Sequence, residues 1–101
     1  MAHWHSVPAQ SLESGRAVVD VDGREIALFL VDGRVHAFEN ACPHEGNPLV
    51  EGEVLGSVLA CAFHGWRFDL ETGACLAGDH AAKRYRAELR DEAIWIAVED
   101  Y

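Results

Sequence analysis

The chain has 101 residues, half of them hydrophobic and a quarter charged, which is an ordinary globular composition with room for one domain over residues 1–101. Its formal charge of −9 argues against nucleic-acid binding, because phosphate would repel it, and favours partners with basic docking surfaces. No apolar run approaches about 18 residues, and the N-terminus lacks the pattern of a secretory signal, so we expect no membrane span and a cytoplasmic location.

Short β-like runs alternate with turn signals along the chain. Asp22-Gly23 and Asp32-Gly33 are dipeptides typical of hairpin turns. The run 26–31 is apolar throughout, as expected for a strand covered on both faces. Two short stretches, 11–15 and 79–84, are compatible with helix. The predicted strands are 17–21, 26–31, 35–38, 57–61, 66–70, 85–89 and 93–98. Many short strands with frequent turns predict an all-β fold, an antiparallel sandwich or small barrel.

Two short motifs carry the chemistry. Cys42-Pro43-His44 and Cys61-Ala62-Phe63-His64 each combine one cysteine with one histidine in a predicted loop. Two thiolates and two imidazoles from two turns form a set of metal ligands, and they suit iron bound with sulfide. A Cys₂His₂ zinc site is the chemical alternative, although the spacing does not match usual zinc fingers. An odd count of three cysteines argues against a disulfide framework.

Segments 42–49 and 61–73 resemble the cluster-binding loops of the Rieske family in ligand spacing, loop glycines and the strand that follows. The resemblance implies a two-loop tip that holds one [2Fe–2S] cluster. By that likeness, Cys42 and Cys61 bind one iron, while His44 and His64 bind the outer iron.

Departures from the family's respiratory members indicate a low reduction potential. The positions of their extra loop cysteines are Asn47 and Phe63 here, so their disulfide is not expected. Their cluster-facing serine and tyrosine hydroxyls are replaced by Trp66 and Phe68, which offer no O–H donor to a sulfur. We therefore expect a potential near the low end of the approximate −150 to +300 mV range of Rieske centres. A third loop at 77–80 lacks the usual proline.

The resemblance implies an electron-transfer protein rather than an enzyme: the ferredoxin component of a multicomponent oxygenase, often one acting on aromatic compounds. Its partners would be a flavin-containing ferredoxin reductase and a terminal oxygenase, and a monomer is the simpler expectation for a shuttle. The alternative is the Rieske-like small subunit of a nitrite reductase or another oxidoreductase complex. Intact cysteine and histidine ligands favour the ferredoxin, because the nitrite reductase group often lacks them.

The sequence also predicts roles or locations for several residues outside the ligand motifs. An acidic docking face is predicted from Glu39, Glu45, Glu51 and Glu53, because residues 35–66 contain no lysine or arginine. Cys75 is expected to fill core space as a small hydrophobic residue. Trp66 is expected either to pack under the second loop or to cover the cluster or contact a partner. We expect His3, His5 and His36 to be surface or edge histidines. We expect His80 to be an exposed loop histidine, with a place near the cluster in the third loop as the alternative.

Overall fold

The computed structural model describes residues 2–12, 14–41, 48–61, 66–76 and 81–99. Within these residues the chain forms strands and two short 3₁₀ helices, Ala9–Leu12 and Leu49–Glu51. The strands are, in chain order, β1 Ala2–Pro8, β2 Arg16–Val21, β3 Arg24–Val31, β4 Arg34–Glu39, β5 Glu53–Leu55, β6 Val58–Ala60, β7 Arg67–Asp69, β8 Arg84–Arg90 and β9 Ala93–Glu99.

The strands form two antiparallel sheets, which confirms the predicted all-β class. One sheet has six strands in the order β1-β9-β8-β4-β3-β2, and the other has three in the order β5-β6-β7. The larger sheet curls into a nearly closed barrel. His5 on edge strand β1 approaches Asp22 beside edge strand β2, with 3.2 Å between Nε2 and Oδ2.

Two hairpin turns follow the predicted chemistry. Asp22 and Asp32 have φ values of 52° and 50°, and the glycines after them have φ values of 79° and 78°. Two successive residues with positive φ match the right-handed twist of the flanking strands. The turns therefore fix the register of β2 on β3 and of β3 on β4.

Strand β3 lies between two hydrophobic cores. Ile26 and Leu28 belong to the core inside the barrel. Ala27 and Phe29 belong to a second core, formed where the small sheet packs against the barrel wall. The prediction that this strand is covered on both faces is confirmed, and each such large buried side chain stabilises the fold by roughly 1.5–3 kcal/mol.

Some sequence-based predictions were wrong or incomplete. Strands β1 and β5 were not predicted. The expected helix at 79–84 is not helical in its described part, because Ala81 forms a bridge with Ala74 and β8 begins at Arg84. His36 was expected at the surface, but only 3% of it is exposed. The stretch 11–15 overlaps the 3₁₀ helix Ala9–Leu12, which ends earlier than predicted. No helix among the described residues is long and apolar enough to cross a membrane.

Candidate metal centre

Cys61 is the predicted ligand that the structure describes, while Cys42, His44 and His64 lie outside the described residues. Cys61 follows β6 directly and is 2% exposed, within the core beneath the small sheet. Its backbone N–H donates to the carbonyl oxygen of Trp66 at 2.7 Å. This hydrogen bond joins the two ends of segment 62–65 and holds the buried thiol at the end of the strand.

The small sheet places the attachment points of the loops in one row. Glu53 pairs with Ala60 and Ala60 pairs with Arg67, at the end of the sheet where Cys61 follows β6. The N–H of Leu76 donates to the carbonyl oxygen of Arg67 at 2.8 Å, which extends the row by one residue. Segment 62–65 and segment 77–80 therefore both connect to the same end of this sheet.

The chain that follows the first predicted ligand loop packs against this end as well. It runs through the 3₁₀ helix Leu49–Glu51 to Gly52, where an added Cβ would collide with the carbonyl oxygen of Ala60. Only glycine allows this approach of the two backbones. Segment 42–47 thus leads, through Pro48, to a backbone that touches the residue before Cys61.

Asn40 and Arg16 hold this region, and neither was singled out from the sequence. The side-chain oxygen of buried Asn40 accepts the N–H of Val50 at 2.8 Å. Arg16 donates to the carbonyl oxygens of Val50 and Gly52. The position of Asn40, two residues before Cys42, was a usable signal in the sequence, whereas nothing there distinguishes Arg16 on the distant strand β2.

The residues that replace the hydroxyl donors of the respiratory proteins are apolar core residues here. Phe68 is fully buried on β7, between Leu59 and Cys75 in the pairing of the small sheet. Trp66 is partly buried and packs against the same core. Cys75 is 8% exposed in this core, which confirms its predicted role as a small hydrophobic residue.

The acidic residues of the predicted docking face are described in part. Glu51 and Glu53 are exposed where the small sheet meets the first loop, and Glu39 is partly exposed at the end of β4. Glu45 lies outside the described residues, as does His80. Arg67 is exposed in the same row as Glu53 but on the other edge strand, β7, so this edge of the small sheet carries a positive charge.

A cleft of about 540 Å³ lies away from the predicted metal centre, at the beginning of β4 and along β8. Its lining includes Arg34, His36, Arg84 and Arg90. The predicted ligand loop follows the opposite end of β4. Burial lowers the pKa of His36 below its usual value; nearby Arg84 and Arg34 lower it further, whereas Glu71 opposes the shift. The Nδ1 atom of His36 is buried without a hydrogen-bond partner.

The described part of the predicted site, which contains Cys61, fits an iron–sulfur centre. A buried cysteine at a strand end, beside the attachment points of the other predicted ligands, provides a sulfur donor shielded from water. Within the described ranges, no group of three or more histidine, cysteine, aspartate or glutamate side chains is placed to hold a metal ion. That is expected, because three of the four predicted ligands lie outside those ranges.

Comparison with known proteins identifies the family. The family model for the Rieske [2Fe–2S] domain matches residues 3–97, so the chain belongs to this family and its cofactor is a [2Fe–2S] cluster. It is 40% identical over 83 residues to the ferredoxin component of the naphthalene 1,2-dioxygenase/salicylate 5-hydroxylase systems of a Ralstonia species, covering 80% of each chain. Relatives of this kind are electron-transfer components rather than catalytic enzymes.

Two solved structures share the fold over nearly their whole length. A Mycobacterium tuberculosis protein, assigned as the small subunit of an NADH-dependent nitrite reductase, matches with a TM-score of 0.88 and 25% identity, covering 100% of this chain and 99% of that one. The ferredoxin of carbazole 1,9a-dioxygenase from Nocardioides aromaticivorans matches with a TM-score of 0.80 and 26% identity, covering 93% and 98%.

Other relatives are much longer than this chain. It is 38% identical over 90 residues to the 4beta-methylsterol monooxygenase of Methylococcus capsulatus, but spans only 24% of that protein. Rieske domains thus occur both as separate ferredoxins and as parts of larger oxidoreductases.

Proposed function

We propose that this protein is a one-electron carrier, a low-potential Rieske ferredoxin that passes electrons from a flavin-containing reductase to a terminal oxygenase. The observation that carries the proposal is its similarity to an oxygenase ferredoxin component over four fifths of both chains. The carbazole dioxygenase ferredoxin supports it, because that protein also matches over nearly its full length.

We also propose the ligand set, with Cys42 and Cys61 on one iron and His44 and His64 on the outer iron. When bound, the cluster accepts and releases one electron at a time. The burial of Cys61 supports this assignment, since the thiolate that holds the inner iron needs protection from water and exchange.

In this proposal, the chain's own residues shield the cluster from water on one side and offer a contact surface for a protein partner on the other. Leu49, Leu59 and Phe68 are fully buried around Cys61 and exclude water from that side. Leu76, which extends this row next to Arg67, is 55% exposed. An exposed apolar side chain next to the third loop suits brief contact with a protein partner, in which apolar surface and steering charges act together.

Matched cysteine variants test the ligand set. C61A is expected to purify without inorganic sulfide, because a cluster cannot form with one inner thiolate missing. C75A removes a buried thiol from the same core and is expected to keep wild-type iron and sulfide. A C61A protein with a full complement of sulfide would overturn the assignment of Cys61 as a ligand.

Electron transfer is tested with purified components of a naphthalene dioxygenase system. In the proposed role, the chain restores NADH-dependent substrate oxidation when it replaces that system's ferredoxin, or at least is reduced by the reductase and reoxidised by the oxygenase. A cluster-bearing protein that exchanges no electrons with such reductases or oxygenases would contradict the proposal.

The small subunit of a nitrite reductase is the second candidate. The match to the Mycobacterium tuberculosis protein supports it, because that match covers both chains almost completely. The four cysteine and histidine ligands favour the ferredoxin, since the nitrite reductase group often lacks them. Tight association with a nitrite reductase large subunit, with a rise in its activity, would favour this second role.

A further inference from the structure

Both backbone polar groups of Val50 are held by side chains from distant parts of the chain. Its N–H donates to Oδ1 of Asn40 at 2.8 Å, and its carbonyl oxygen accepts from Nη1 of Arg16 at 2.7 Å. Val50 lies in the short helix that follows the first predicted ligand loop. Its position therefore decides where the chain leaves that loop.

Asn40 connects the beginning of the loop to its end. It lies two residues before Cys42 and is 8% exposed, and its own N–H donates to the carbonyl oxygen of Glu25 at 2.9 Å. Its side-chain amide donates to Oε1 of Glu25 at 2.5 Å while its oxygen accepts from Val50. Fixing both ends of a loop removes the entropy cost of closing it before any ligand binds.

Arg16 connects the end of the loop to the barrel wall. The same Nη1 atom also donates to the carbonyl oxygen of Gly52, and the guanidinium lies 5.5 Å from the centre of the Phe29 ring. A partly buried guanidinium with two carbonyl acceptors makes charge-assisted hydrogen bonds that are stronger than neutral ones. Gly52, held in this way, is the residue that touches the backbone before Cys61.

We propose that Arg16 and Asn40 are positioning residues for the [2Fe–2S] cluster. Together they fix Val50, and through Gly52 they fix the first ligand loop against the strand that carries Cys61. This inference rests on the proposed ligand set, which places Cys42 and His44 in that loop. The pair thereby determines how tightly the cluster is held, and the positive charge of Arg16 favours its reduced, more negative state.

Arginine variants with a matched control test the first half of the proposal. R16M removes both hydrogen bonds and the charge, whereas R16K keeps the charge and some donors. The control is R86M, because Arg86 also lies over an aromatic ring, 5.7 Å from the centre of Trp4, and its loss changes the net charge equally. The readouts are the rate of cluster bleaching by excess iron chelator, the midpoint potential and the electron paramagnetic resonance line shape.

R16M is expected to lose its cluster at least about tenfold faster than wild type, the factor that corresponds to one charge-assisted hydrogen bond. Its potential is expected to fall, R16K should lie between, and R86M should match wild type. An R16M protein whose bleaching rate and potential equal those of R86M would overturn the role of Arg16. If R16M does not fold, the bleaching rate of R16K decides, because lysine keeps the charge but cannot reproduce the guanidinium hydrogen bonds: a rate equal to wild type would overturn the role of Arg16.

A hydrogen-bond reversal tests the second half. N40D keeps an acceptor for Val50 but removes the amide donor and places a second carboxylate against Glu25, so faster bleaching is expected. N40D/E25Q restores that bond with donor and acceptor exchanged, and is expected to recover most of the wild-type rate. No recovery, or no effect of N40D, would overturn the role of Asn40.

The iron and sulfide content of the wild-type protein distinguishes failure of the proposed ligand set from failure of the positioning role. A wild type without iron and sulfide would overturn the proposed ligand set and this inference together. A wild type with a full cluster, whose R16M and N40D variants behave as it does, would overturn this inference and leave the proposed function standing.

Discussion

Gly52 lies directly against the carbonyl oxygen of Ala60, so the backbone leaving the first predicted ligand loop touches the residue that precedes Cys61. The two residues are not neighbours in any strand register, since Ala60 pairs with Glu53. The contact nevertheless brings together two parts of the chain that the sequence separates. In the proposed ligand set, this contact would hold the two predicted ligand loops close enough to serve one centre.

G52A is expected to destabilise the protein by about 1–3 kcal/mol, because the added methyl group would collide with a backbone carbonyl of β6 that can move only if the strand shifts. Gly52 has extended backbone angles, φ −73° and ψ 173°, so backbone strain does not contribute. Denaturant unfolding measures the loss, and sulfide content shows whether the cluster is retained.

G23A is the matched control for this substitution. Gly23 has a φ of 79° and open space around it, so its replacement costs about 1–2 kcal/mol of backbone strain without a steric clash. A G52A protein as stable as wild type, alongside a destabilised G23A, would contradict the close packing of the two segments.

The potential is expected to respond to a hydroxyl at Phe68. F68Y restores the donor that respiratory Rieske proteins have at this position, and a new hydrogen bond to a cluster sulfur would stabilise the reduced state by about 1.4 kcal/mol, or about 60 mV for one electron. Redox titration of F68Y against wild type measures the rise. F38Y adds a hydroxyl to the same core from β4 and should leave the potential unchanged.

A potential of F68Y that equals or falls below the wild-type value would show that Phe68 does not face the cluster. A wild-type midpoint above about +100 mV, in the upper half of the approximate −150 to +300 mV Rieske range, would refute the low-potential prediction itself.

Charge reversal at Glu51 or Glu53 is expected to slow reduction by the partner reductase. Both side chains are exposed near the predicted cluster end, and complementary charge mainly raises the rate of association. E51K and E53K should each lower the second-order rate several-fold at low salt, with the difference disappearing at high salt. E88K on β8 changes the net charge equally and serves as the control. Equal rates for E51K, E53K and E88K would place the docking face elsewhere.

The pH dependence of stability should carry a contribution from His36. Its pKa is lowered in the folded protein, mainly by burial, so the unfolded chain binds more protons below about pH 6.5. Stability from this residue is complete above that pH and declines as the pH falls towards the lowered folded-state pKa. Unfolding of wild type and H36L between pH 5 and pH 8 should therefore differ in slope on the acidic side. Parallel curves would mean that His36 does not titrate differently on unfolding.

Sequence patterns predicted most of the strands because their causes are local. Asp22-Gly23 and Asp32-Gly33 specify their turns, and the apolar run 26–31 reports burial on both faces. Strand β5 escaped prediction because Glu53, Val54 and Leu55 form too short a run to show alternation.

The remaining misses depend on contacts between distant residues. The burial of His36 follows from strands on both sides of it, and Arg16 reaches its acceptors across 34 and 36 residues of sequence. In contrast, the cysteine and histidine motifs are local, so their resemblance to the Rieske loops in spacing, glycines and the following strand predicted the family and its cofactor, and the family match confirmed both. The ligand assignment itself stays a prediction.

The most direct test of that assignment is pulsed electron paramagnetic resonance of the dithionite-reduced protein, with histidine labelled with ¹⁵N and with iron and sulfide quantified. We predict two irons and two sulfides per chain and magnetic coupling to two histidine nitrogens. H44A and H64A should each remove one of the two couplings or lose the cluster altogether. A reduced cluster without histidine coupling, or a protein reconstituted without oxygen that contains no sulfide, would contradict it.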